Sequence, residues 1–169
     1  MDTWVGVDIG LTGAIAVIQG NNIKIWDMPI RELPKVKSGG LMRRDYSITG
    51  ILCVIQEIEK LGQTHYMIEK VSARPGQGIV STGSLYRGLA IFEALLTSQL
   101  LLNEYQLVWP ATWKKVMVPE AGDDKERSVA AALRLFPQSE GYFKRKKDHG
   151  RAEALLLAEW GRRHAKGGL

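Results

Sequence analysis

Hydrophobic positions change period several times along the chain. Trp4 to Ile9 is an apolar, β-rich run, and Ala14 to Ile18 is a second one, separated from it by a Gly-Leu-Thr-Gly turn. Gly20-Asn21-Asn22 is a hairpin signal leading into a third strand over 23–28. Pro29 to Arg44 is polar, carries two prolines and reads as a mobile loop. From Ser47 to Leu61 the spacing becomes helical, with Ile48, Ile51, Leu52, Ile55 and Ile58 on one stripe and Gly62 as the stop. A short strand over 65–71 follows, then a Gly-rich loop over 73–83. Leu85, Leu89, Phe92 and Leu96 mark a long helix from Ser84 to about Leu102. A strand over 106–110 ends at Pro110, and the TWKKVM stretch after it reads as a polar turn. Asp123 and Asp124 cap a helix running to Leu135. A last helix spans Asp148 to His164, with Ala152, Leu155, Leu156 and Trp160 as its buried stripe.

The order β-β-β-α-β-α-β-α-α predicts an α/β domain: a mixed five-stranded sheet with helices on its faces. The 169 residues suit one domain, 1–169, large enough to bury a core without staples. No apolar run reaches the ~18 residues that cross a bilayer, so no membrane partner is expected. The longest, LAIFEALLTSQLLL, is broken by Glu93, Thr97, Ser98 and Gln99. The single cysteine, Cys53, lies in an apolar context, which excludes a disulfide framework and predicts a small core residue in a reducing compartment. A net charge of +5 suits a polyanionic partner.

Acids interrupt this pattern. Asp8 closes the first apolar run, Glu69 sits among the apolar neighbours of HYMIEKV, and Asp148 and Glu153 open the last helix. A buried, unpaired carboxylate is expensive, so each calls for a partner. Clustered carboxylates repel one another until a divalent ion reverses the balance, and hard oxygen ligands favour Mg²⁺ or Mn²⁺ over zinc. Two such ions about 4 Å apart can assist phosphodiester hydrolysis. Asp148 and Glu153 are about 140° apart on a helix, whereas His149 and Glu153 share a face. The last-helix pair is therefore Asp148 with Glu153, with Asp148 at a frayed end, or His149 with Glu153. Asp148 also reads as a helix N-cap.

In VGVDIGLTGAIAVI, IEKVSARPGQGIVSTGSLYRG, WPATWKKVM and KKDHGRAEALLLAEWG, in that order, the chain resembles the RuvC-type Holliday-junction resolvases of phages and of some bacterial and organellar relatives. The resemblance implies a ribonuclease H-like fold, a homodimer and two Mg²⁺ ions per active site, with Mn²⁺ as a substitute. It implies paired nicks in opposing strands of a four-way DNA junction, and a cytoplasmic, nucleoid-associated or organellar setting. Asp8 matches the first-strand aspartate, Glu69 the later strand glutamate, and Glu153 the last-helix acid, where aspartate is more usual. The preceding acid of that helix falls on Gly150 or His149, with Asp148 one residue further back. The family's aromatic wedge position is Ser72 here, so junction opening is expected from the 73–87 loop, including Tyr86.

Phosphate contacts are expected from Lys70, Arg74, Arg87, Lys114, Lys115 and the Lys144, Arg145, Lys146, Lys147 cluster, with close backbone approach at Gly76, Gln77 and Gly78. Trp113 reads as a core anchor. The long helix is apolar nearly all round, as a dimer element would be. Three rival readings exist. VDIGLTG fits the phosphate turn of the actin and sugar-kinase superfamily, but the chain is short for two domains and a second phosphate loop. An RNA-processing nuclease of the same fold shares the metal chemistry. A non-catalytic nucleic-acid-binding module would not need Asp8, Glu69 and Glu153.

Overall fold

The structure is a computed structural model that describes residues 1–34, 43–73, 75–98, 105–119 and 124–164. In chain order the elements are β1 (Thr3–Asp8), β2 (Ala14–Gln19), β3 (Asn22–Asp27), β4 (Ile30–Leu33), β5 (Arg43–Tyr46), α1 (Ile48–Glu59), β6 (Thr64–Glu69), α2 (Ile79–Ser98), β7 (Tyr105–Val108), α3 (Pro110–Met117), α4 (Asp124–Leu135), a 3₁₀ turn (Pro137–Tyr142) and α5 (His149–His164). Five strands form one sheet in the order β3-β2-β1-β6-β7. β1, β2 and β3 are an antiparallel meander, whereas β6 and β7 join β1 in parallel. The mixed five-stranded sheet expected from the pattern is therefore present, with helices on both faces.

Strand alternation assigns each side chain of β1 to a face. Val5 and Val7 join Ile15, Val17, Tyr66 and Ile68 in a core closed by Ile51, Ile55 and Ile58 of α1 and Leu89, Phe92 and Leu96 of α2. Trp4 faces the opposite side with Ala14, Ala16, Ile18 and Met67, beneath Trp113 of α3, Ala131 and Ala132 of α4 and the buried side of α5. Gly6 and Asp8 point to that second side by the same alternation.

The second core depends on small residues. Gly6 pairs with Ala16, and Asp8 with Ala14. A Cβ on Gly6 would overlap the Ala154 carbonyl oxygen and lie 2.6 Å from the Ala158 amide nitrogen. α5 therefore rests directly on β1. It is buried nearly all round from Ala154 to Gly161, more than the four-residue stripe in its sequence implies.

Four expectations change. The described parts of the 29–44 segment form an antiparallel β4–β5 ribbon; its middle, 35–42, lies outside the described residues. The TWKKVM stretch is helical: Pro110 occupies the first turn of α3, where a missing N–H costs nothing. α2 begins at Ile79, five residues before Ser84, so the Gly-rich loop is shorter than its composition indicates. Cys53 is exposed rather than buried, because α1 turns Ile51, Val54, Ile55 and Ile58 inward and places residue 53 outside that stripe. The expected Asp123/Asp124 cap of α4 lies outside what the structure describes.

By length and composition α2 could cross a bilayer. Its buried residues are Gly88, Leu89, Phe92 and Leu96, and Arg87 pairs with Asp45 of β5 through bonds of 2.9 and 3.0 Å.

Gly6→Ala is expected to lower stability by about 1–3 kcal/mol, because backbone rather than a mobile side chain must yield. Urea denaturation measures this; a wild-type midpoint would show that α5 does not sit as tightly on β1 as described.

Candidate active site

Asp8 and Glu69 end adjacent parallel strands. Val7 pairs with Ile68, and Glu69 pairs onward with Val108. Both acids fall on the α5 side of the sheet, since Met67, two residues before Glu69, packs in that core. Gly150, in the first turn of α5, completes the approach: a Cβ there would lie 2.9 Å from Asp8 Oδ2 and 2.8 Å from the Thr12 carbonyl oxygen. Glu153 follows one turn later, so three elements distant in sequence present carboxylates to one place.

The electrostatics agree with this convergence. Burial pushes the Asp8 carboxyl well above the usual carboxylate range; the charges of Glu69 and Glu153 raise it further, and Lys114 pulls it back. Both glutamates are held. The Trp113 indole Nε1, from the buried side of α3, donates to Glu69 Oε2 at 3.0 Å. Lys114 Nζ and Ser128 Oγ donate to Glu153 Oε1 at 2.9 and 3.2 Å. Among the described residues no three His, Cys, Asp or Glu side chains stand at mutual ligand spacing, and the Lys114 ammonium is the cation that faces this cluster. The donor set is nevertheless all carboxylate oxygen, which suits a hard divalent ion.

Asp148 belongs to a different network. It is 2% exposed; its Oδ2 accepts from the Arg145 backbone N–H at 2.7 Å and its Oδ1 from Arg145 Nε at 2.7 Å. Arg145 also reaches Asp27 at the end of β3, at 2.9 Å, and Arg151 bonds the same Asp27 at 2.6 Å. The fold thus ties the entry to α5 to the meander through two arginines and two aspartates. Although burial raises both carboxyls, the arginine hydrogen bonds prevail and hold Asp148 and Asp27 below the usual carboxylate range. Of the two sequence options for the last-helix pair, the Asp148 side chain is engaged away from Asp8. His149 is half-buried, with Nδ1 lacking a hydrogen-bond partner among the described residues.

The expected phosphate contacts divide. Lys115, Lys144, Lys146 and Lys147 are exposed. Arg145 and Arg87 are engaged in carboxylate pairs, Lys114 joins the acid cluster, and Arg74 lies outside the described residues. A cleft of about 430 Å³ runs beside Glu69, lined by Ile9, Lys70, Ser72, Gly76, Gln77 and Leu85. Gly76 has a φ of +79°, a backbone region that favours glycine, and neither it nor Gly78 has a neighbour within 4 Å of where a Cβ would stand. Tyr86 is 46% exposed and lies on α2 rather than on a loop.

Sequence reading missed the residues that hold the glutamates. Trp113 was legible only as core, Ser128 carried no signal, and Pro110 was the one available mark of the helix that brings Trp113 and Lys114 to the site.

The strand order, the paired acids ending β1 and β6, and the third acid on α5 define a ribonuclease H-like α/β fold. Within that class the chain shares the architecture of RuvC from Thermus thermophilus, with a TM-score of 0.54 at 12% identity over 96% of each chain. Against T. thermophilus RuvC in complex with Holliday junction substrate, the TM-score is 0.62 at 9% identity, over 99% of this chain and 97% of that one. In sequence, 48 residues are 42% identical to the chloroplastic Holliday junction resolvase MOC1 of Chlamydomonas reinhardtii. That match spans 28% of this chain and 5% of MOC1. No protein-family model matches the chain. The likeness to RuvC thus holds in fold over nearly the whole chain, and the likeness to MOC1 in sequence over a short segment.

Two stability predictions follow from these charges. The Asp8 carboxyl is raised on folding, so its ionised form opposes the fold increasingly as pH climbs through its ordinary value of 3.8 toward the folded one. Asp8→Asn removes that opposition. At neutral pH in chelator its melting temperature should exceed wild type by a few degrees, at about 2–4 °C per kcal/mol; calorimetry showing a lower value would contradict the crowded-acid geometry. Asp148 behaves oppositely: its carboxyl is lowered on folding, so its contribution is full above the unfolded value and is lost as pH falls through the folded one. Asp148→Asn should cost about 1–3 kcal/mol at pH 7. The gap to wild type should narrow in urea titrations as pH falls below the ordinary carboxyl value of 3.8.

Proposed function

We propose that this chain is a divalent-metal-dependent, structure-selective DNA endonuclease that resolves four-way junctions by paired nicks. The observation that carries the proposal is the meeting of Asp8, Glu69 and Glu153 at the carboxyl ends of β1 and β6, against the first turns of α5. Two of the solved structures sharing the fold are RuvC, one of them in complex with Holliday junction substrate, and the short sequence match is to a Holliday junction resolvase. Those names concern those proteins; the acid cluster is what brings their chemistry to this chain.

Asp8, Glu69 and Glu153 would hold Mg²⁺, or Mn²⁺ in its place, at two ions per site. When bound, such ions supply the positive charge and Lewis acidity that phosphodiester hydrolysis requires. The chain's own groups prepare the site. Trp113 fixes one Glu69 oxygen. Lys114 and Ser128 orient Glu153 and offset its charge until a cation arrives. Gly150 keeps the space above Asp8 clear of side-chain carbon. Lys115, Lys144, Lys146 and Lys147 supply exposed positive charge for the phosphates of the arms. The glycines at 76 and 78, with nothing within 4 Å of where a Cβ would stand, leave room for a strand to approach closely.

The reading extends to a single nuclease domain that works as a two-fold homodimer on a near two-fold junction, with α2 contributing the contact. α2 leaves Ile79, Val80 and Tyr86 exposed, which supports that role. It also places the protein where junctions arise, in a bacterial or phage-infected cytoplasm and nucleoid or in an organelle.

A nicking assay on an immobile synthetic four-way junction tests the proposal, with Mg²⁺, Ca²⁺ and chelator run in parallel. Asp8→Asn should keep junction binding while cleavage falls by several orders of magnitude. A variant cutting at the wild-type rate refutes the assignment, and preferential cutting of structured RNA redirects it to RNA processing. Junction affinity should also fall steeply between about 50 and 200 mM salt, as expected for several phosphate contacts; a flat titration removes the lysines from the interface.

A further inference from the structure

Beside the acid cluster, the ends of β6 and β7 carry a pair of residues that the cleavage chemistry does not use. Trp109 directly follows Val108, the strand partner of Glu69. Lys70 directly follows Glu69, and its backbone N–H donates to the Val108 carbonyl at 2.8 Å. The Lys70 ammonium lies 4.3 Å from the centroid of the Trp109 ring. Trp109 is 48% exposed, whereas Trp4, Trp113 and Trp160 are buried in the core. Pro110 begins α3 immediately afterwards, and Trp109 holds an extended backbone with φ −63° and ψ 136° as the residue capping that helix. The indole is thus carried on a stiff strand-to-helix junction rather than on a loop.

Half-exposing a tryptophan leaves a large apolar ring in water, where burial would stabilise it. Its Lys70 neighbour also lines the 430 Å³ cleft beside Glu69. An aromatic face, a cation bound to it and an adjoining cleft together match one ligand class: a nucleotide whose base is out of the duplex stack. Its π-face would lie on the indole and its phosphate against the ammonium. Lys70 would move from ring to phosphate, a short transfer for a flexible four-carbon stem.

We infer that Trp109 and Lys70 form a stacking subsite for one unpaired nucleotide of the DNA strand entering the site. The subsite rests on the endonuclease reading. It extends that reading by explaining how a strand could be held single-stranded beside Glu69 without an aromatic residue at position 72.

The test measures binding in chelator, where no cleavage occurs. Affinities of wild type, Trp109→Ala, Trp109→Phe and Lys70→Met are compared for a short oligothymidylate, a four-way junction and a perfect duplex of equal length, by fluorescence anisotropy. Trp109→Ala should weaken oligothymidylate and junction binding roughly 5- to 100-fold, the range for one stacked base, with duplex binding unchanged. Trp109→Phe should retain most of the affinity. Lys70→Met should weaken binding and reduce its salt slope by about one. Placing a single abasic nucleotide successively along one junction strand should find one position where wild type loses affinity and Trp109→Ala does not. If wild type binds the junction but Trp109→Ala binds all three ligands as wild type does, or loses duplex equally, the subsite is refuted and the endonuclease reading stands. If wild type binds no DNA, both fall.

Discussion

The close seating of α5 on β1 is the constraint on which the rest of this molecule depends. Gly6 has no side chain where the Ala154 carbonyl passes, Ala14 and Ala16 flank it, and Gly150 has none where the Asp8 carboxylate stands. Helix and sheet therefore meet at backbone distance, and the first turns of α5 are held over the ends of β1 and β6. A larger residue at any of these points would lift the helix and carry Glu153 away from Asp8. Packing density in this core consequently sets the geometry of the charged site.

That seating creates an electrostatic problem which the surroundings only partly relieve. Three carboxylates share a half-buried space; Asp8 bears most of the strain, while Trp113, Lys114 and Ser128 steady the two glutamates. At the entry to the same helix a second group of acids is fully compensated, with Asp148 and Asp27 bridged by Arg145 and Arg151. The contrast separates the two roles of acidic residues within a single short segment. Compensated acids fasten the helix, and under-compensated acids retain the capacity to bind a cation.

The surface around the site has a similar division of labour. Arg87 and Arg145, expected as phosphate contacts from sequence, also join elements: Arg87 links α2 to the β4–β5 ribbon through Asp45, and Arg145 links the entry to α5 to Asp27 of β3. The lysines of the 144–147 stretch and Lys115 remain solvated. Arginine's planar, bidentate fork suits fixed carboxylate pairs, whereas lysine's flexible point charge suits a surface that follows a moving phosphate backbone.

Much of this was legible before any coordinates. Period-two and helical spacing located the five sheet strands and most helices, because burial of one face imposes those periods directly. Asp8 and Glu69 stood out because a carboxylate in an apolar strand violates its local environment. The β4–β5 ribbon and α3 were not legible, since both are held by tertiary contacts that outweigh polar composition and a weak local period. The partners of the acids were hidden for a related reason. A tryptophan that donates to Glu69 looks in sequence like one that merely fills a core, and Asp148 looks as eligible as Glu153 until an arginine is seen beside it. Local patterns specify which residues must be buried or paired. The packing of α3, α4 and α5 onto the sheet decides with whom for Glu69, Glu153 and Asp27, whose partners lie 25 to 118 residues away, whereas Arg145 stands only three residues before Asp148.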